Sequence, residues 1–490
     1  MRLQMRLRSM ERRYNMRSKG VTRFLLEHAG GNPVSFHMPG HKGSGIYRRY
    51  GYDAFLDNFI DCDITEIPGA DNLFQTEGII RETAEKYRRL YDVKKSYLLI
   101  NGTSGGLIAA VLASVPKGKK LVMSRNCHKS VFNALTLGGI EPVYAYPAMI
   151  EEYGIAGFVE PDEIAACLDE NPEAEAVILP SPNYYGICSD IRAIADEVHS
   201  RGKILIVDQA HGAHLKFMAG QPEAACECGA DIVVNSTHKT LASFTQSAVL
   251  NLNSGRVDRY VLEDRLQAVQ STSPSYILMA SLDINADILL GHGGELFDEW
   301  DANLSRFYDK AYRISGVKLM DVPGHMDKTK INIDMSRRGI DGSRLEKLLM
   351  EKGIFAELVT GNILMCMTGI GNTQKDFDRL AAALEDIAGR NPETAGGSGA
   401  PDGGGAALWM KRRPLHEIPV KKKPVHIDES AGMICGSSII PYPPGIPFIC
   451  PGEEIGNEEI EYIKLLRGRG EKVIGVDENM RVVVGSAVGV

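Results

Sequence analysis

The sequence predicts an α/β protein whose large domain carries a mostly parallel sheet, followed by a smaller α+β domain. Three observations carry that reading. Strand-like and helix-like stretches alternate from Tyr97 to Asp208. The strand-like runs are continuously apolar, as in strands covered on both faces. Beyond about residue 315 the strict alternation gives way to a mixed pattern of strands and helices.

In order along the chain, "SYLLIN" (96–101) is a strand and "GTSGGLIAAVLASV" opens a helix. "KLVMS" is a strand, and "NCHKSVFNALTLGG" a helix that ends on glycines. "PVYAYP" is a strand, and "PDEIAACLDENP" a helix whose acidic start suits the positive end of a helix dipole. "AVILP", "DIRAIADEVHSRG" and "KILIVDQAHG" continue the alternation, and "DIVVNSTHK" supplies another strand. A helical region follows over roughly 257–315. "KTKINIDMS", "GSRLEKLLMEKGI" and "NILMCMTGI" build the smaller α+β domain. "NPETAGGSGAPDGGGAAL" (391–408) reads as a flexible linker. The proline-dense "PYPPGIPFICPGEEI" must be irregular or extended. The expected division is an N-terminal extension and arm (1–50), a large domain (51–300), a small α+β domain (301–390), the linker (391–408) and a C-terminal domain (409–490).

Composition narrows the function classes. With 490 residues, 44% of them hydrophobic, the chain can bury a large core and form two or three domains. A net charge of -8 speaks against a nucleic-acid binder. No apolar run is long enough to span a bilayer. The nine cysteines show no paired CxxC array, which argues against zinc and a disulfide framework and fits a reducing cytoplasm. The arginine-rich start lacks the apolar region of a secretory signal and is expected to be a solvated or interface helix.

Four strand-end motifs carry chemistry. Asn101-Gly102-Thr103-Ser104-Gly105-Gly106 lies between a strand and a helix, where backbone N–H groups, the helix dipole and two hydroxyls suit an anion. It lacks the Gly-Lys-Ser/Thr of a Walker loop and is not GxGxxG, so alone it is equally a glycine-eased turn. "RNCHKS" places His128 at a second strand-to-helix loop. "ILIVDQAHGAH" ends an apolar strand on Asp208, a poorly solvated carboxylate that needs a cation or donor. In "DIVVNSTHK", Ser236, Thr237, His238 and Lys239 follow a buried strand. A phosphate wants a helix N-terminus and hydroxyls. A pyridinium nitrogen wants a buried carboxylate, an aromatic ring wants a flat group over its face, and an aldehyde wants an amine. One object meets all four demands, pyridoxal 5'-phosphate, with Lys239 as its covalent partner. Its surroundings should depress the Lys239 pKa and make the amine nucleophilic.

At these residues the chain resembles the ornithine/lysine/arginine decarboxylase family, in its short bacterial form. The resemblance runs from about Val21 to the C-terminus. It rests on "FHMPGHKGS", "DITEIPGADNLF", "NGTSGG", "RNCHKS", "DQAHGAH", "STHK", "TQSAVLN", "STSPSY" and "PYPPGIP" with "PGE", in that order. It implies an aspartate-aminotransferase-like large domain (fold type I of the pyridoxal-phosphate enzymes) with a seven-stranded-type, mostly parallel sheet. It also implies a homodimer or higher homo-oligomer with shared active sites. By motif, Lys239 would be the Schiff-base lysine and Asp208 the partner of the pyridine nitrogen. His128 would stack on the ring and Ala210 pack beneath it. Thr103, Ser104, Ser236 and His238 would bind or flank the phosphate, with Gly102 and His211 beside the cofactor. Thr272 and Ser273 would reach the neighbouring subunit's cofactor.

The implied reaction is decarboxylation of arginine, lysine or ornithine to agmatine, cadaverine or putrescine, with Lys239 or His238 assisting the final proton transfer. For the basic substrate's counter-charge the candidates are Glu66, Asp71 and Glu453, each equally readable as a turn or capping residue. Two departures from the family pattern remove negative charge. Gln209 stands where the family usually has Glu, and Ser437 and Ser438 stand where a carboxylate often precedes "PYPPG". Two other readings stay open. One is a different pyridoxal-phosphate reaction, such as transamination or β-elimination, although no motif announces the arginine clamp an aminotransferase wants. The other is a non-catalytic relative that binds the cofactor or polyamines, against which the intact Lys239, Asp208 and His128 argue.

Overall fold

The computed structural model describes residues 20–393, 408–442 and 446–485. The arginine-rich start, most of the expected linker and Pro443–Gly445 of the "PYPPG" motif lie outside these. Seven strands form the central sheet: β1 (Lys95–Leu99), β2 (Lys120–Ser124), β3 (Glu141–Ala145), β4 (Ala174–Pro180), β5 (Ile204–Asp208), β6 (Ile232–Asn235) and β7 (Ala248–Leu252). Their order is β1-β7-β6-β5-β4-β2-β3. β7 alone runs against the rest, antiparallel to both β6 and β1.

The continuous apolar runs are explained by burial on both faces. In β2, Leu121 and Met123 face one core and Val122 the other. The first core takes in helices α2 (Gly102–Ser114), α3 (Lys129–Gly138) and α4 (Arg259–Val269) through Leu107, Val131, Leu135, Leu262 and Leu266. On the opposite face Ile164, Leu168, Ile191 and Val198 pack over Val177, Val207 and Val233. The expected strands and helices of this region are all present. The sequence reading did not assign β7. Asn251 interrupts its apolar pattern, yet is fully buried; its Oδ1 accepts the Ser96 hydroxyl at 2.6 Å, while its Nδ2 has no partner among the described residues.

Helix α1 (Ile79–Tyr91) packs on α5 (Tyr276–Ala311), a helix of 36 residues. The expected domain boundary at 300/301 falls inside α5. Trp300, Leu304 and Phe307 carry it directly into a core with Ile331, Ile333, Leu364 and Phe377, so one rigid element serves both lobes. That second lobe holds an antiparallel sheet of β8 (Lys318–Leu319), β9 (Lys330–Asp334), β10 (Leu358–Thr360) and β11 (Ile363–Met367), ordered β8-β9-β11-β10.

The N-terminal arm belongs to this lobe. Val34–Phe36 pairs in parallel with Ile354–Ala356, and Phe36 is fully buried. Further along the arm, Gly40 donates its N–H to the His238 carbonyl at 2.7 Å and accepts from Gly371 at 3.0 Å. The C-terminal region pairs Lys422–His426 with Arg481–Gly485 around Ile427, Phe448, Ile463 and Val482. Arg125, just past β2, docks it: the guanidinium meets both Glu453 carboxylate oxygens at 2.9–3.1 Å and the carbonyls of Pro447 and Phe448. Among the described residues no helix is long and apolar enough to cross a membrane.

Candidate active site

The C-terminal ends of β4, β5 and β6 and the N-termini of α2 and α3 surround a cavity of about 420 Å³. Ten sequence-predicted residues line it: Gly102, Thr103, Ser104, His128, Asp208, Ala210, His211, Ser236, His238 and Lys239. They converge because parallel strands deliver every strand-to-helix loop to one edge of the sheet.

The anion end is built on α2. Asn101, at its N-cap, does not cap the helix; its Nδ2 donates to the Val269 carbonyl at 2.9 Å. Gly106 lets the helix lie tightly on the sheet, since a Cβ there would meet Leu99 Cδ1 at 2.5 Å. Thr103 Oγ1 and Ser236 Oγ stand 3.0 Å apart, which adds two hydroxyls to an N-terminus lacking a side-chain cap.

Asp208 ends β5, buried, with its Oδ1 accepting the Ala210 N–H at 3.1 Å. Burial pushes its pKa up, while the charge of Lys239 pulls it down. His128 is the N-cap of α3. Its Nδ1 accepts the Ser130 N–H and lies 2.9 Å from Ser130 Oγ, which leaves the proton on Nε2. Burial, with Lys239 and Lys129 nearby, lowers its pKa to about 3, so the ring is neutral.

Lys239 sits on the single turn Thr237–Thr240 directly after β6. Its Nζ is 2.9 Å from His211 Nε2 and 6.0 Å from the centre of the Tyr184 ring. Burial pushes the amine's pKa down, against the pull of Asp208 and Glu357. Burial, then the charges of Lys239 and Lys330, drives His211 well below the usual imidazole range, so its Nε2 accepts from the ammonium. The other nitrogen of His211, Nδ1, is buried without a partner among the described residues. Beneath His211, Lys330 donates to its carbonyl at 2.6 Å and to Asp327 Oδ2 at 2.7 Å, and both charges are fully buried. His238 is fixed by Nδ1 on the Ser247 carbonyl at 2.7 Å, and burial lowers its pKa to about 4.

The donor set fits pyridoxal 5'-phosphate. It offers an open helix N-terminus with hydroxyls, a buried carboxylate with one backbone donor, a neutral flat ring and a depressed amine. The unpartnered His211 Nδ1 adds a buried polar atom that a bound group would satisfy.

Five predicted residues are not brought to this cavity. Thr272 and Ser273 lie in the exposed loop between α4 and α5, where Ser273 bonds Ser271. Glu66 is exposed and accepts from Asn72 Nδ2 at 2.7 Å. Asp71 is a local clamp at the start of α1. Slight burial pushes its pKa up, but the N–H groups of Glu77, Asn72 and Gly78 outweigh that and hold it low. Glu453 is the clearest correction: wholly inside the protein, its charge is matched by Arg125 and not offered to a substrate. Gln209 is likewise occupied, accepting from Ala225 and donating to the Gly212 carbonyl, which a carboxylate could not do. That departure from the family pattern therefore concerns loop structure.

Other lining residues carried no assigned role in the sequence: Met38, Asn183, Tyr184, Gln246, Glu357, Leu358, Ile440 and Ile474. Met38 lies inside the quoted "FHMPGHKGS", a signal that could have flagged it. Glu357, within "FAELVT", had none.

Comparison with known proteins places this geometry. The model described as "Orn/Lys/Arg decarboxylase, major domain" matches residues 20–300, and "Orn/Lys/Arg decarboxylase, C-terminal domain" matches 415–486. Protein YaaO of Bacillus subtilis (strain 168) is 33% identical over 477 residues, covering 94% of this chain and 95% of its own length. An arginine decarboxylase of the same organism is 30% identical over 462 residues, covering 90% and 91%. Among solved structures, the Francisella novicida lysine decarboxylase LdcF aligns with a TM-score of 0.74 at 19% identity, over 94% of this chain and 80% of that one. The fold is thus the aspartate-aminotransferase-like one that the motifs implied. The chain belongs to the Orn/Lys/Arg decarboxylase family.

Proposed function

We propose that this chain is a pyridoxal-phosphate-dependent decarboxylase of a basic amino acid, with arginine as its substrate and agmatine as its product. The carrying observation is Lys239, its amine 2.9 Å from a neutral histidine, in one cavity with a buried carboxylate and an open helix N-terminus. Arginine is favoured over lysine and ornithine because the relative at 30% identity is named an arginine decarboxylase, whereas the lysine decarboxylase LdcF stands at 19%.

When bound, pyridoxal phosphate supplies an electron-poor ring that takes up the electron pair left as carbon dioxide departs. Every other step falls to the chain's own residues. Thr103, Ser104 and Ser236, with the first turn of α2, hold the phosphate. Asp208 would hold a proton on the ring nitrogen, and His128 and Ala210 would pack against the ring. His211 accepts from Lys239 Nζ and fixes its position, while burial lowers the amine's pKa and so favours its nucleophilic form. Met38, Leu358 and Ile440 give this side of the cavity an apolar lining, which favours release of carbon dioxide. Lys239 or His238 returns a proton to the substrate's Cα. No arginine lines the cavity among the described residues, so the clamp an aminotransferase uses for a second carboxylate is missing there.

In this reading the large lobe binds the cofactor, while Met38 of the arm, Glu357 and Leu358 of the second lobe, and Ile440 and Ile474 of the C-terminal region line the rest of the cavity. The reading includes a cytoplasmic homodimer feeding polyamine synthesis, in which Thr272 and Ser273 reach the partner's cofactor. Its support is local. Ile60, Ile64, Ile67 and Ile79 are exposed on the segment that the Tyr276 hydroxyl ties down at Asp71, next to the 271–275 loop.

The test gives purified protein, pyridoxal phosphate and equal arginine, lysine and ornithine, with products read by mass spectrometry. Agmatine is the expected amine. No amine from any of the three, with cofactor visibly bound, would overturn the reading.

A further inference from the structure

We propose that Glu357 is the group that receives the substrate's side-chain cation and so sets the preference for basic amino acids. The inference rests on the decarboxylase reading above and names a residue for it.

Position is the first support. Glu357 and Asp208 are the two carboxylates lining the cavity among the described residues. Asp208 ends β5 in the cofactor half, whereas Glu357 comes from the other lobe, beside Leu358 and Met38. A substrate that carries a guanidinium or ammonium into this space needs a carboxylate to offset the loss of water around its charge.

Its bonding is the second. Oε2 of Glu357 accepts the Met38 N–H at 2.9 Å, which holds the carboxylate in the wall. A carboxylate has about four lone-pair sites, and one backbone donor leaves most of them open. Among the described residues Glu357 makes no ion pair. Lys42 and Lys239 feel its charge, but Lys42 commits its ammonium to the carbonyls of His37 and Met367, and Lys239 its Nζ to His211. The wall thus contains a half-buried, fixed anion without a cation on it.

The third is elimination. Glu453 is locked onto Arg125, Asp71 onto the first turn of α1, and Glu66 lies in solvent with Asn72. A guanidinium at Glu357 would bring several parallel N–H donors and an ammonium a point charge, so one carboxylate serves either class of substrate.

The experiment measures calorimetric binding of agmatine and of hexylamine, of similar length but without the distal cation, to the cofactor-loaded enzyme. The proteins are the wild type, Glu357→Gln and Glu357→Asp. Gln keeps an oxygen for the Met38 N–H. In Glu357→Gln, agmatine should bind at least tenfold more weakly and hexylamine unchanged, while KM for arginine rises tenfold or more and kcat stays within threefold. Unchanged agmatine binding, equal losses for both amines, or a fall in kcat at constant KM would each overturn the assignment. If Glu357→Gln fails to fold or load, Glu357→Asp decides: it must weaken agmatine yet still bind it better than hexylamine, and loss of that preference overturns the proposal. If the wild type selects lysine or ornithine, cadaverine or putrescine replaces agmatine. A wild type that turns over none of the three basic amino acids fails the decarboxylase reading itself, a result visible before any variant is made.

Discussion

Lys239 is the residue on which the chemistry turns. Lys239→Ala should give no detectable amine by mass spectrometry while the far-UV circular dichroism is kept, and surviving turnover would refute its covalent role. The histidines around it make a separate prediction about pH. His128 and His238 have folded pKa values of about 3 and about 4, below the ordinary 6.5. Between those limits the unfolded chain binds more protons than the folded one, so stability falls as pH drops from about 6.5 towards 4. Each buried histidine adds a slope of up to about 1.4 kcal/mol per pH unit. Urea titrations of the cofactor-free protein at pH 7, 6 and 5 should show that slope, and His238→Asn should make it shallower; an unaltered slope counts against burial as the cause. The residues of the "NGTSGG", "RNCHKS", "DQAHGAH" and "STHK" motifs were legible because each is a short contiguous run at a strand end. Glu357 was not, because only packing between lobes brings it to the cavity. Glu453 was misread because sequence shows a charge but not the Arg125 buried against it.

At the scale of elements, the loop after β5 and strand β9 meet through one buried ion pair. Lys330 holds the His211 carbonyl while Asp327 neutralises it and accepts the Thr329 N–H. Removing one partner leaves a buried uncompensated charge, a cost of about 3–5 kcal/mol. Lys330→Met should therefore lower the urea midpoint sharply, and adding Asp327→Asn should recover much of the loss; a midpoint unmoved by the single change would show that the pair carries no such strain. Strand identities were legible where burial on both faces left a short continuous apolar run, as in β2 with Leu121, Val122 and Met123 divided between two cores. They failed at β7, where one buried asparagine broke the pattern, and at α5, whose unbroken run to Ala311 crosses the expected boundary.

Across the whole molecule, Arg125 and Glu453 decide how the C-terminal region sits on the sheet. Glu453→Gln tests the structural role against the substrate-binding role expected from sequence. A structural role predicts a fall in stability of about 3–5 kcal/mol with KM unchanged. A rise in KM at unaltered stability would restore the earlier expectation. The architecture as a whole was legible because β-α alternation admits few topologies. The seating of the last domain was not, because nothing local in "PGEEI" names its partner.

The arm from Val34 to Gly40 is held between the Lys239 turn and the Gly369–Gly371 segment, and the cavity it helps to close is lined by residues as far apart as Met38 and Ile474. This bears on the order of assembly. On the ribosome the arm emerges before both lobes, yet its partners are made hundreds of residues later, so its contacts are among the last a nascent chain can complete. A partly synthesised chain therefore lacks part of the pocket's lining, which runs from Met38 to Ile474.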